Sequence, residues 1–332
     1  MKCLALADLF ITKEMMEKGL TNLKDAGIEV TVREWKHDNL ERLQQDNLTI
    51  EQGGSEMISL PQHLLEDIDK FDIIITQFAP INKNVIEKAK KLKIIGVLRG
   101  GIENINKSAL EERGVCIINT PGRNSRSVAE FTIGLILSEI RNIARSHEAL
   151  KQGNWRKDFP NANVIPELEG RTIGIIGYGN IGQLVARFIN VFGTRVIFHD
   201  PYFKGETSFE HVDLDTLLKE SDIVTLHGRL TNETHHLLKE KHLKMMKRTA
   251  ILINTSRSGL IKEEDLITAL KNKVIMGAAI DTFDHEPLDK NSPFLELDNV
   301  TITSHMAGST NDAFKNTPKK LALRLLENLQ HD

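Results

Sequence analysis

Residues 173–200, IGIIGYGNIGQLVARFINVFGTRVIFHD, decide the fold of this 332-residue chain. The stretch begins with an apolar run, 173–176, that has the length and composition of a buried parallel strand. Apolar residues then recur with helical spacing through 184–192. A second apolar segment, 195–199, follows and ends at Asp200. The pattern predicts a strand–helix–strand unit with parallel strands.

The turn between the first strand and the helix is a complete G-x-G-x-x-G, made by Gly177, Tyr178, Gly179, Asn180, Ile181 and Gly182. In such a motif Gly177 permits the tight turn, Gly179 lets the backbone approach a pyrophosphate, and Gly182 lets helix and strand pack closely. The first turn of the helix offers free N–H groups and a partial positive charge to that pyrophosphate. The six residues are therefore candidate dinucleotide-binding residues.

Asp200 stands at the end of the second strand, where a carboxylate accepts hydrogen bonds from the ribose hydroxyls of NAD. A carboxylate there repels the 2′-phosphate of NADP, and no arginine stands beside it to compensate. We therefore predict NAD as the cofactor. Two alternatives remain at this point: a purely structural strand–helix turn, and a methyltransferase that binds S-adenosylmethionine on a similar turn.

The overall composition is that of a soluble globular protein with room for two domains, since 40% of residues are hydrophobic and 27% charged. A net charge of −3 gives no electrostatic case for nucleic acid or a membrane surface. No apolar run is long enough to cross a bilayer, and the N-terminal MKCLALADLF fits a first strand better than a signal peptide. Cys3 and Cys116 lie in strand-like runs, so we expect buried thiols and a cytoplasmic location.

The first third of the chain alternates between strand and helix patterns and has no dinucleotide fingerprint of its own. Strands are predicted at 2–7, 29–33, 71–76, 94–98 and 115–118, and helices at 13–25 and 82–91. Residues 41–61 are polar and irregular, and we expect a loop or a short helix there. The alternation predicts a first doubly wound layer.

The rest of the chain continues the alternation after a long helix predicted from about 125 to 152. Further strands are predicted at 222–226, 249–254, 274–280 and 299–303, with a last helix at 310–329. The fold class is therefore α/β, with two doubly wound domains joined by crossings near 119–124 and 304–308. We expect a cleft in which a cofactor held by one domain meets a substrate held by the other.

Three polar stretches, 254–259, 281–287 and 303–310, each follow a predicted strand, at the edge where open α/β sheets bind ligands. They supply Arg257, Glu286 and His305. An arginine grips a carboxylate bidentately, and a histidine beside a carboxylate exchanges a proton near neutral pH. Each residue has an ordinary explanation by itself, as a solvated charge, a turn cap or one of 12 histidines. Together they suit a carbonyl/alcohol redox step on an acid.

With these motifs, the turn RGGIENI at 99–105 and the segment NTPGRNSRSVAE at 119–130, the sequence resembles the D-isomer-specific 2-hydroxyacid dehydrogenase family. Within that family it looks most like the phosphoglycerate dehydrogenase branch. The resemblance implies a flavodoxin-like substrate domain, 1–120 and 306–332, with an NAD-binding Rossmann domain, 121–305, inserted in it. It also implies a homodimer formed through the nucleotide domains and the helix after Asn124. No regulatory C-terminal domain is expected.

The resemblance also implies roles for individual residues. Arg257 matches the substrate-binding arginine, Glu286 the acid and His305 the catalytic histidine, while the backbone amides of Gly100 and Gly101 match the loop that receives the substrate carboxylate. Other matches lie near the nicotinamide: Asp281, Thr255 and Ser256. In the implied mechanism His305 takes the hydroxyl proton while a hydride passes from the substrate to the nicotinamide, and the reverse occurs in reduction.

Several positions depart from the family pattern and leave the substrate open. Arg99 stands where the loop usually has glycine, Glu103 replaces aspartate, Val97 stands where the phosphoglycerate branch often has arginine, and Ser304 replaces proline. Arg99 is a candidate substrate-binding residue that either binds a second anionic group, such as a phosphate, or points into solvent.

The sequence thus predicts an NAD-dependent oxidoreductase that interconverts a D-2-hydroxyacid and its 2-keto acid, similar to phosphoglycerate dehydrogenase. One alternative is a glyoxylate/hydroxypyruvate reductase. An alternative of another class is an NAD(H)-sensing, corepressor-like binding protein. A methyltransferase leaves Arg257, Glu286 and His305 without a role. The remaining histidines show no ligand spacing, so no metal site is predicted.

Overall fold

The structure is a computed structural model that describes residues 1–164 and 166–330; Ile165 and the last two residues of the predicted range 306–332 lie outside it. Among the described residues the strands are β1 (Lys2–Ala7), β2 (Glu29–Glu34), β3 (Ile73–Thr76), β4 (Ile94–Val97), β5 (Cys116–Asn119), β6 (Thr172–Ile176), β7 (Arg195–His199), β8 (Glu210–His211), β9 (Ile223–Leu226), β10 (Ile251–Asn254), β11 (Gly277–Ile280) and β12 (Val300–Ile302). The helices are α1 (Lys13–Gly19), α2 (Thr21–Asp25), α3 (Leu40–Gly53), α4 (Lys83–Lys88), α5 (Lys107–Glu111), α6 (Ser125–Ile140), α7 (Ile143–Lys151), α8 (Asn180–Asn190), α9 (Leu214–Glu220), α10 (Glu240–Leu243), α11 (Glu263–Lys271) and α12 (Asn311–Leu329).

The chain folds into two compact units, and unit 1 comprises Met1–Arg123 and Thr310–Asp332. Its five strands form one parallel sheet in the order β2-β1-β3-β4-β5. Alternate side chains of each strand enter two separate cores, because successive residues of a strand point to opposite faces. Leu4 and Ile74 pack under α3, α4 and α5, whereas Cys3 and Ile75 pack under α1 and α12. This strand order is the flavodoxin-like one, and its switch point lies between β1 and β3.

Unit 2 comprises Asn124–Ser309 and holds a parallel sheet of seven strands in the order β12-β11-β10-β9-β6-β7-β8. One face packs against α6 and α8, and the other against α9 and α11. This is the strand order of a Rossmann sheet. The chain adds β7 and β8 on one side of β6 and then β9 to β12 on the other side, so the switch point of the topology lies between β6 and β9. The edge of the sheet at that point is where such folds bind their ligands.

The two parallel α/β sheets confirm the predicted fold class. All predicted strands are present, and β8 is an additional two-residue strand at the sheet edge. The sequence predicted one domain at 1–120 with 306–332 and another at 121–305. The two compact units instead divide between Arg123 and Asn124 and between Ser309 and Thr310, a few residues from the predicted boundaries. Which range binds substrate and which binds cofactor stays a prediction.

The long helix predicted over 125–152 was wrong, because the chain breaks it between α6 and α7. Asn142 adopts a left-handed conformation at the break, with φ of 54°. Its side chain is held on both sides: Nδ2 donates to Asn161 Oδ1 at 2.6 Å and Oδ1 accepts from Arg145 Nη1 at 3.1 Å. Asparagine tolerates this conformation better than most residues, so a local hydrogen-bond network overrides the helical pattern.

Two further expectations in unit 1 fail. The segment 41–61 contains the 14-residue helix α3, in which only Leu43 and Ile50, two turns apart, are buried. Because the buried face of α3 is so narrow, the sequence of the segment is mostly polar and its helical pattern is weak. Cys116 is exposed, in contrast to the buried Cys3, because β5 is the edge strand of its sheet. Both thiols are free, as expected.

A buried ion pair fastens β12 to α6 within unit 2. Glu139 and Arg145 are almost inaccessible to water and lie 2.7 Å apart. Thr301 of β12 donates to Glu139 Oε2 at 2.6 Å, and Arg145 Nε donates to the Asp298 carbonyl at 2.6 Å. Burial raises the pKa of Glu139, against the opposing effects of Arg145 and Thr301. The network thereby anchors the strand that leads to His305.

No helix within residues 1–164 and 166–330 is long and apolar enough to cross a membrane.

Removal of Arg145 alone is expected to destabilise the protein, because it leaves Glu139 buried without its counter-ion. Arg145→Met should lower the free energy of unfolding in urea by about 3–5 kcal/mol. The double variant with Glu139→Gln should lose less. As a control, Arg195→Met removes exposed pairs with Glu210 and Glu220 and should cost about 1 kcal/mol or less. An Arg145→Met variant as stable as this control would contradict the anchoring role.

Candidate active site

The glycine turn joins β6 to α8 in unit 2, and each of its three glycines has a distinct steric reason. Gly177 has φ of 89°, and a Cβ there would overlap the backbone of Gly228. A Cβ on Gly182 would overlap the carbonyl oxygen of Gly177. Gly179 has no atom within 4 Å of the position that its Cβ would take. The space beside Gly179 is open because the residue has no side chain. A pyrophosphate needs this open space to approach the backbone closely.

The Asp200 carboxylate is tied to this turn. Its Oδ2 accepts from the Tyr178 amide at 2.8 Å, and its Oδ1 accepts from the Tyr202 amide at 2.9 Å. Each carboxylate oxygen has a second lone-pair site, so Asp200 retains acceptor capacity for two hydroxyl groups. The open position at Gly179, the N-terminus of α8 and this half-buried carboxylate together fit NAD.

The turn after β10 contains the predicted residues Thr255 and Ser256. Thr255 is buried, and its hydroxyl lies 2.8 Å from that of Thr132 of α6. Ser256 donates to the carbonyl of Gly228 at 2.8 Å. Both side chains therefore stiffen the sheet edge beside the glycine turn. Gly228 was not identified from the sequence, although a glycine two residues after a strand of the Rossmann sheet is the signal to look for.

His305 and Glu286 form a hydrogen-bonded pair. His305 Nδ1 lies 2.7 Å from Glu286 Oε2, and Glu286 Oε1 accepts from the Phe283 amide at 2.9 Å. The hydrogen bond to Glu286 raises the pKa of His305, against partial burial, which lowers it. Burial alone would raise the pKa of Glu286, but the hydrogen bonds from His305 and Phe283 hold it below its ordinary value. The pair thus favours imidazolium beside carboxylate.

Arg257 is exposed, and its Nη1 donates to the Ser256 carbonyl at 2.8 Å. Its positive charge lowers the pKa of both His305 and Glu286, so the guanidinium is within electrostatic range of the pair. The three predicted catalytic residues therefore come together in unit 2, each on a loop after a different strand of the sheet.

Asp281 is fully buried directly after β11. Its Oδ1 accepts from the Thr303 hydroxyl at 2.5 Å and the Met306 amide at 2.9 Å, and its Oδ2 accepts from the Ala307 amide at 2.9 Å. These bonds close the turn in which His305 adopts φ of 52°, an uncommon conformation for a side-chain-bearing residue. Asp281 was expected near a nicotinamide, and the observed contacts also make it the clamp of the His305 turn.

Unit 1 carries the predicted substrate loop after β4. The Gly100 carbonyl accepts from Asn119 Nδ2 at 2.6 Å, and the Arg99 carbonyl accepts from the Thr120 amide at 3.1 Å. Within the described residues, neither the Gly100 amide nor the Gly101 amide donates to a protein acceptor. The loop is thus held through its carbonyl groups and leaves two amide donors available.

Arg99 lies beside this loop with its charge compensated. Its guanidinium forms ion pairs with Glu51 of α3 and with Glu103, the latter at 3.2 Å, and donates to Asn47 at 3.0 Å. The guanidinium carbon also stands 5.4 Å from the centre of the Phe78 ring. The side chain does not extend into solvent, since only 13% of it is exposed. A substrate anion would have to displace these carboxylates.

Comparison with known proteins places the chain in one family. Residues 133–307 match the model of the D-isomer specific 2-hydroxyacid dehydrogenase, NAD binding domain. The chain is 41% identical to D-3-phosphoglycerate dehydrogenase of Methanocaldococcus jannaschii over 261 residues, 76% of this chain and 49% of the relative, so it spans about half the length of that protein. It is 33% identical to glyoxylate reductase of Korarchaeum cryptofilum over 326 residues, 97% and 91% of the two chains.

A solved structure shares the fold. The D-isomer specific 2-hydroxyacid dehydrogenase of Lactobacillus delbrueckii ssp. bulgaricus, in its NAD complexed form, superposes with a TM-score of 0.80 at 23% identity, covering 100% of this chain and 98% of that one. At this level of identity the likeness concerns the fold alone. The family match covers more than half of the chain and includes the glycine turn and the turn that carries His305. The chain belongs to the D-isomer specific 2-hydroxyacid dehydrogenase family and is an oxidoreductase with an NAD-binding domain.

Proposed function

We propose that this protein interconverts a D-2-hydroxyacid and its 2-keto acid with NAD, and that its substrate resembles that of phosphoglycerate dehydrogenase. The observation that carries the proposal is the hydrogen bond between His305 Nδ1 and Glu286 Oε2, with the Arg257 charge beside it. The roles of these residues, and of those below, are part of the proposal.

His305 acts as the proton donor and acceptor. Because Nδ1 is engaged with Glu286, Nε2 is the nitrogen that faces a reacting oxygen. In reduction, protonated His305 donates from Nε2 to the carbonyl oxygen of the keto acid. In oxidation, the neutral ring accepts the hydroxyl proton at the same nitrogen. Glu286 stabilises the imidazolium in both directions.

Two groups of donors bind the acid. Arg257 stabilises negative charge on the reacting oxygen and the neighbouring carboxylate. The amides of Gly100 and Gly101 receive the carboxylate, which is consistent with their lack of a protein acceptor in the described part of the chain. Neutral amides are a suitable ligand for this group because they bind an anion without adding a charge to the site.

The glycine turn 177–182 and Asp200 would hold the cofactor, with Thr255, Ser256 and Asp281 near its nicotinamide end. When bound, NAD supplies or accepts the hydride. Asp281 contributes in addition by fixing the turn that carries His305, because it accepts three hydrogen bonds from Thr303, Met306 and Ala307.

The substrate has two candidate classes, since relatives of comparable similarity are named D-3-phosphoglycerate dehydrogenase and glyoxylate reductase. A glyoxylate/hydroxypyruvate reductase is therefore the alternative. A third possibility, an NAD(H)-sensing binding protein, predicts tight cofactor binding without turnover, and the assay below separates it from both enzymes.

We further propose a homodimer formed through unit 2. On α7 and just beyond it, Ile143, Leu150 and Trp155 are exposed by 56%, 55% and 80%. Large apolar side chains exposed along one segment are typical of a surface that a partner covers.

Loss of His305 should abolish proton transfer. Purified protein should oxidise NADH in the presence of hydroxypyruvate, glyoxylate or phosphohydroxypyruvate, and His305→Gln should reduce kcat by about 10²–10⁴-fold. His63→Gln, a change of an exposed histidine in unit 1, is the matched control and should retain activity. Turnover by His305→Gln equal to that of this control would exclude the proposed role. Tight NADH binding with no turnover of any acid by the unmodified protein would favour the sensing function.

Loss of the Glu286 carboxylate should move the pH dependence. The hydrogen bond raises the pKa of His305, so Glu286→Gln lowers it, while Arg257 and Asp281 keep their opposing effects. Reduction needs protonated His305 and should therefore decline at lower pH in the variant than in the unmodified protein. Oxidation needs the neutral ring and should begin at lower pH. Measurement of kcat/KM against pH in both directions tests this, and an unmoved profile would contradict it.

Asp200 should set the preference for NADH over NADPH. Repulsion between its carboxylate and a 2′-phosphate costs several kcal/mol, so we expect a preference of about 10²-fold or more. Asp200→Asn removes the charge but keeps an acceptor for one of the two amides, and it should raise kcat/KM with NADPH relative to NADH. Equal use of both cofactors by the unmodified protein would contradict this assignment.

A further inference from the structure

His37 of unit 1 lies between two hydrogen-bond acceptors. The residue stands between β2 and α3, and its side chain is only 4% exposed. Nδ1 lies 3.2 Å from the Trp35 carbonyl oxygen, and Nε2 lies 3.2 Å from Asp46 Oδ2. A carbonyl oxygen and an ionised carboxylate accept hydrogen bonds without donating, and a neutral imidazole has only one N–H. The ring therefore satisfies both oxygen atoms only when it is protonated.

Charged groups from two further elements face this ring. Asp46 belongs to α3 and also pairs with Arg42, at 3.1 Å, one turn earlier on the same helix. Asp8 follows β1. Burial raises the pKa of Asp8 to about 6, and the charges of His37 and Arg123 are among the causes that lower it. Asp8 is thus mainly ionised at neutral pH, and the carboxylates of Asp8 and Asp46 both compensate the charge of a protonated His37.

Helix α3 depends on polar contacts because it buries little apolar surface. Of its 14 residues only Leu43 and Ile50 are buried. Asp46, Asn47 and Glu51 lie on the same face of the helix, three or four residues from these two or from each other. An element with few buried apolar contacts opens locally more readily than the core of the protein. The polar contacts of this face therefore contribute much of the attachment of α3 to unit 1.

The same face of α3 connects His37 to the proposed substrate loop. Asp46 contacts His37, and the next residue, Asn47, accepts from Arg99 Nη1 at 3.0 Å. One turn later Glu51 forms an ion pair with the Arg99 guanidinium. Arg99 begins the loop whose amides would receive the substrate carboxylate. The helix thus joins a titratable ring at one end to the start of this loop.

We propose that His37 is a positioning residue whose protonated form attaches α3 to unit 1 and thereby holds the substrate loop in place. Histidine is the side chain whose charge changes between about pH 5 and 8. When the ring loses a proton, either the Trp35 carbonyl or the Asp46 carboxylate loses its donor, and the ion pair with Asp46 is lost. The helix then opens more often, and Arg99 loses its partners on it.

The consequence for catalysis is an affinity for the substrate acid that falls as the pH rises. This effect on the acid rests on the proposed function, since it needs the loop after β4 to receive a substrate. The attachment of α3 by His37 does not rest on it, because the contacts of the ring lie within unit 1 whatever the reaction is.

A fixed structural role of His37 is the ordinary explanation. The ring would then join β2 to α3 equally well in either protonation state, and a substitution would weaken the attachment by the same factor at every pH. Attachment by the protonated ring predicts a different result. The effect of a substitution should be large at low pH and disappear at high pH, where the ring of the unmodified protein has itself lost one N–H.

Trp35 reports the state of the ring directly. Its buried indole lies nearly perpendicular to the His37 imidazole, with ring centres 4.4 Å apart. A protonated imidazole in contact with an indole quenches its fluorescence more strongly than a neutral one. With Trp155, the other tryptophan of the chain, replaced by Phe in every sample, emission should rise between about pH 6 and 9. His37→Gln should abolish the rise, and His63→Gln should retain it.

Hydrogen exchange measures the attachment of α3. After correction for the intrinsic pH dependence of exchange, protection of its amides should fall about ten-fold or more over the same pH range. In His37→Gln it should be low throughout, because an amide offers a single donor group in place of two. Asp46→Asn keeps an acceptor without the charge and should weaken the pH dependence. Arg42→Gln removes only an exposed partner of Asp46 and should change little.

NADH oxidation with hydroxypyruvate tests the effect on the substrate loop of the full chain. The KM of His37→Gln divided by that of the unmodified protein should be about ten at about pH 6 and about one at about pH 9, with kcat unaltered. Comparison at equal pH removes the contribution of His305, which both proteins share.

The outcomes separate the parts of the proposal. A KM ratio that does not change with pH would overturn the link between α3 and the substrate loop. Trp35 emission and α3 protection that do not change with pH, or that change equally in His37→Gln, would overturn the attachment itself. Absence of turnover with any acid would refute the proposed function, and fluorescence and hydrogen exchange would then decide the role of His37 by themselves.

Discussion

The proposed chemistry of this protein depends on the hydrogen bond between His305 and Glu286, and several buried contacts of unit 2 fix the turn that carries the histidine. The histidine lies in an uncommon backbone conformation, with φ of 52°, on a short turn after β12. Asp281 closes that turn with three hydrogen bonds, and Glu139 with Arg145 anchors the strand that precedes it. The buried carboxylates of Asp281 and Glu139 thereby position the imidazole of His305, although its own hydrogen-bond partner is Glu286.

Buried polar groups in this protein fall into two kinds. Glu139 and Arg145 satisfy each other and their neighbours, as a structural ion pair must if it is not to destabilise the fold. Gln77, which directly follows β3 beside the switch point of the unit 1 sheet, in contrast keeps both side-chain polar atoms unpaired among the described residues. The Gly100 and Gly101 amides, without a protein acceptor in the described residues, belong with the second kind. A buried polar group without a partner in the protein is the kind of group that a bound ligand satisfies.

Much of the fold was predictable because its strands are short apolar runs that end in recognisable turns. The glycine motif after 173–176 identified the Rossmann layer, and the residues after β10, β11 and β12 could be grouped from the strand-end rule alone. What could not be predicted depends on contacts between segments distant in sequence. The break at Asn142 requires Asn161, and the clamp formed by Asp281 requires the amides of 306 and 307. Gln77 was inconspicuous because an unpaired buried amide is recognised only from what surrounds it.

The state of the His305 ring tests the account most directly. Its pKa can be measured by NMR titration of the imidazole in the unmodified protein and in Glu286→Gln. Pairing with Glu286 predicts a pKa of His305 above the ordinary value of about 6.5 in the unmodified protein and a lower one in the variant. An ordinary or depressed pKa in the unmodified protein, unaffected by the variant, would contradict the proposed pairing of His305 with Glu286.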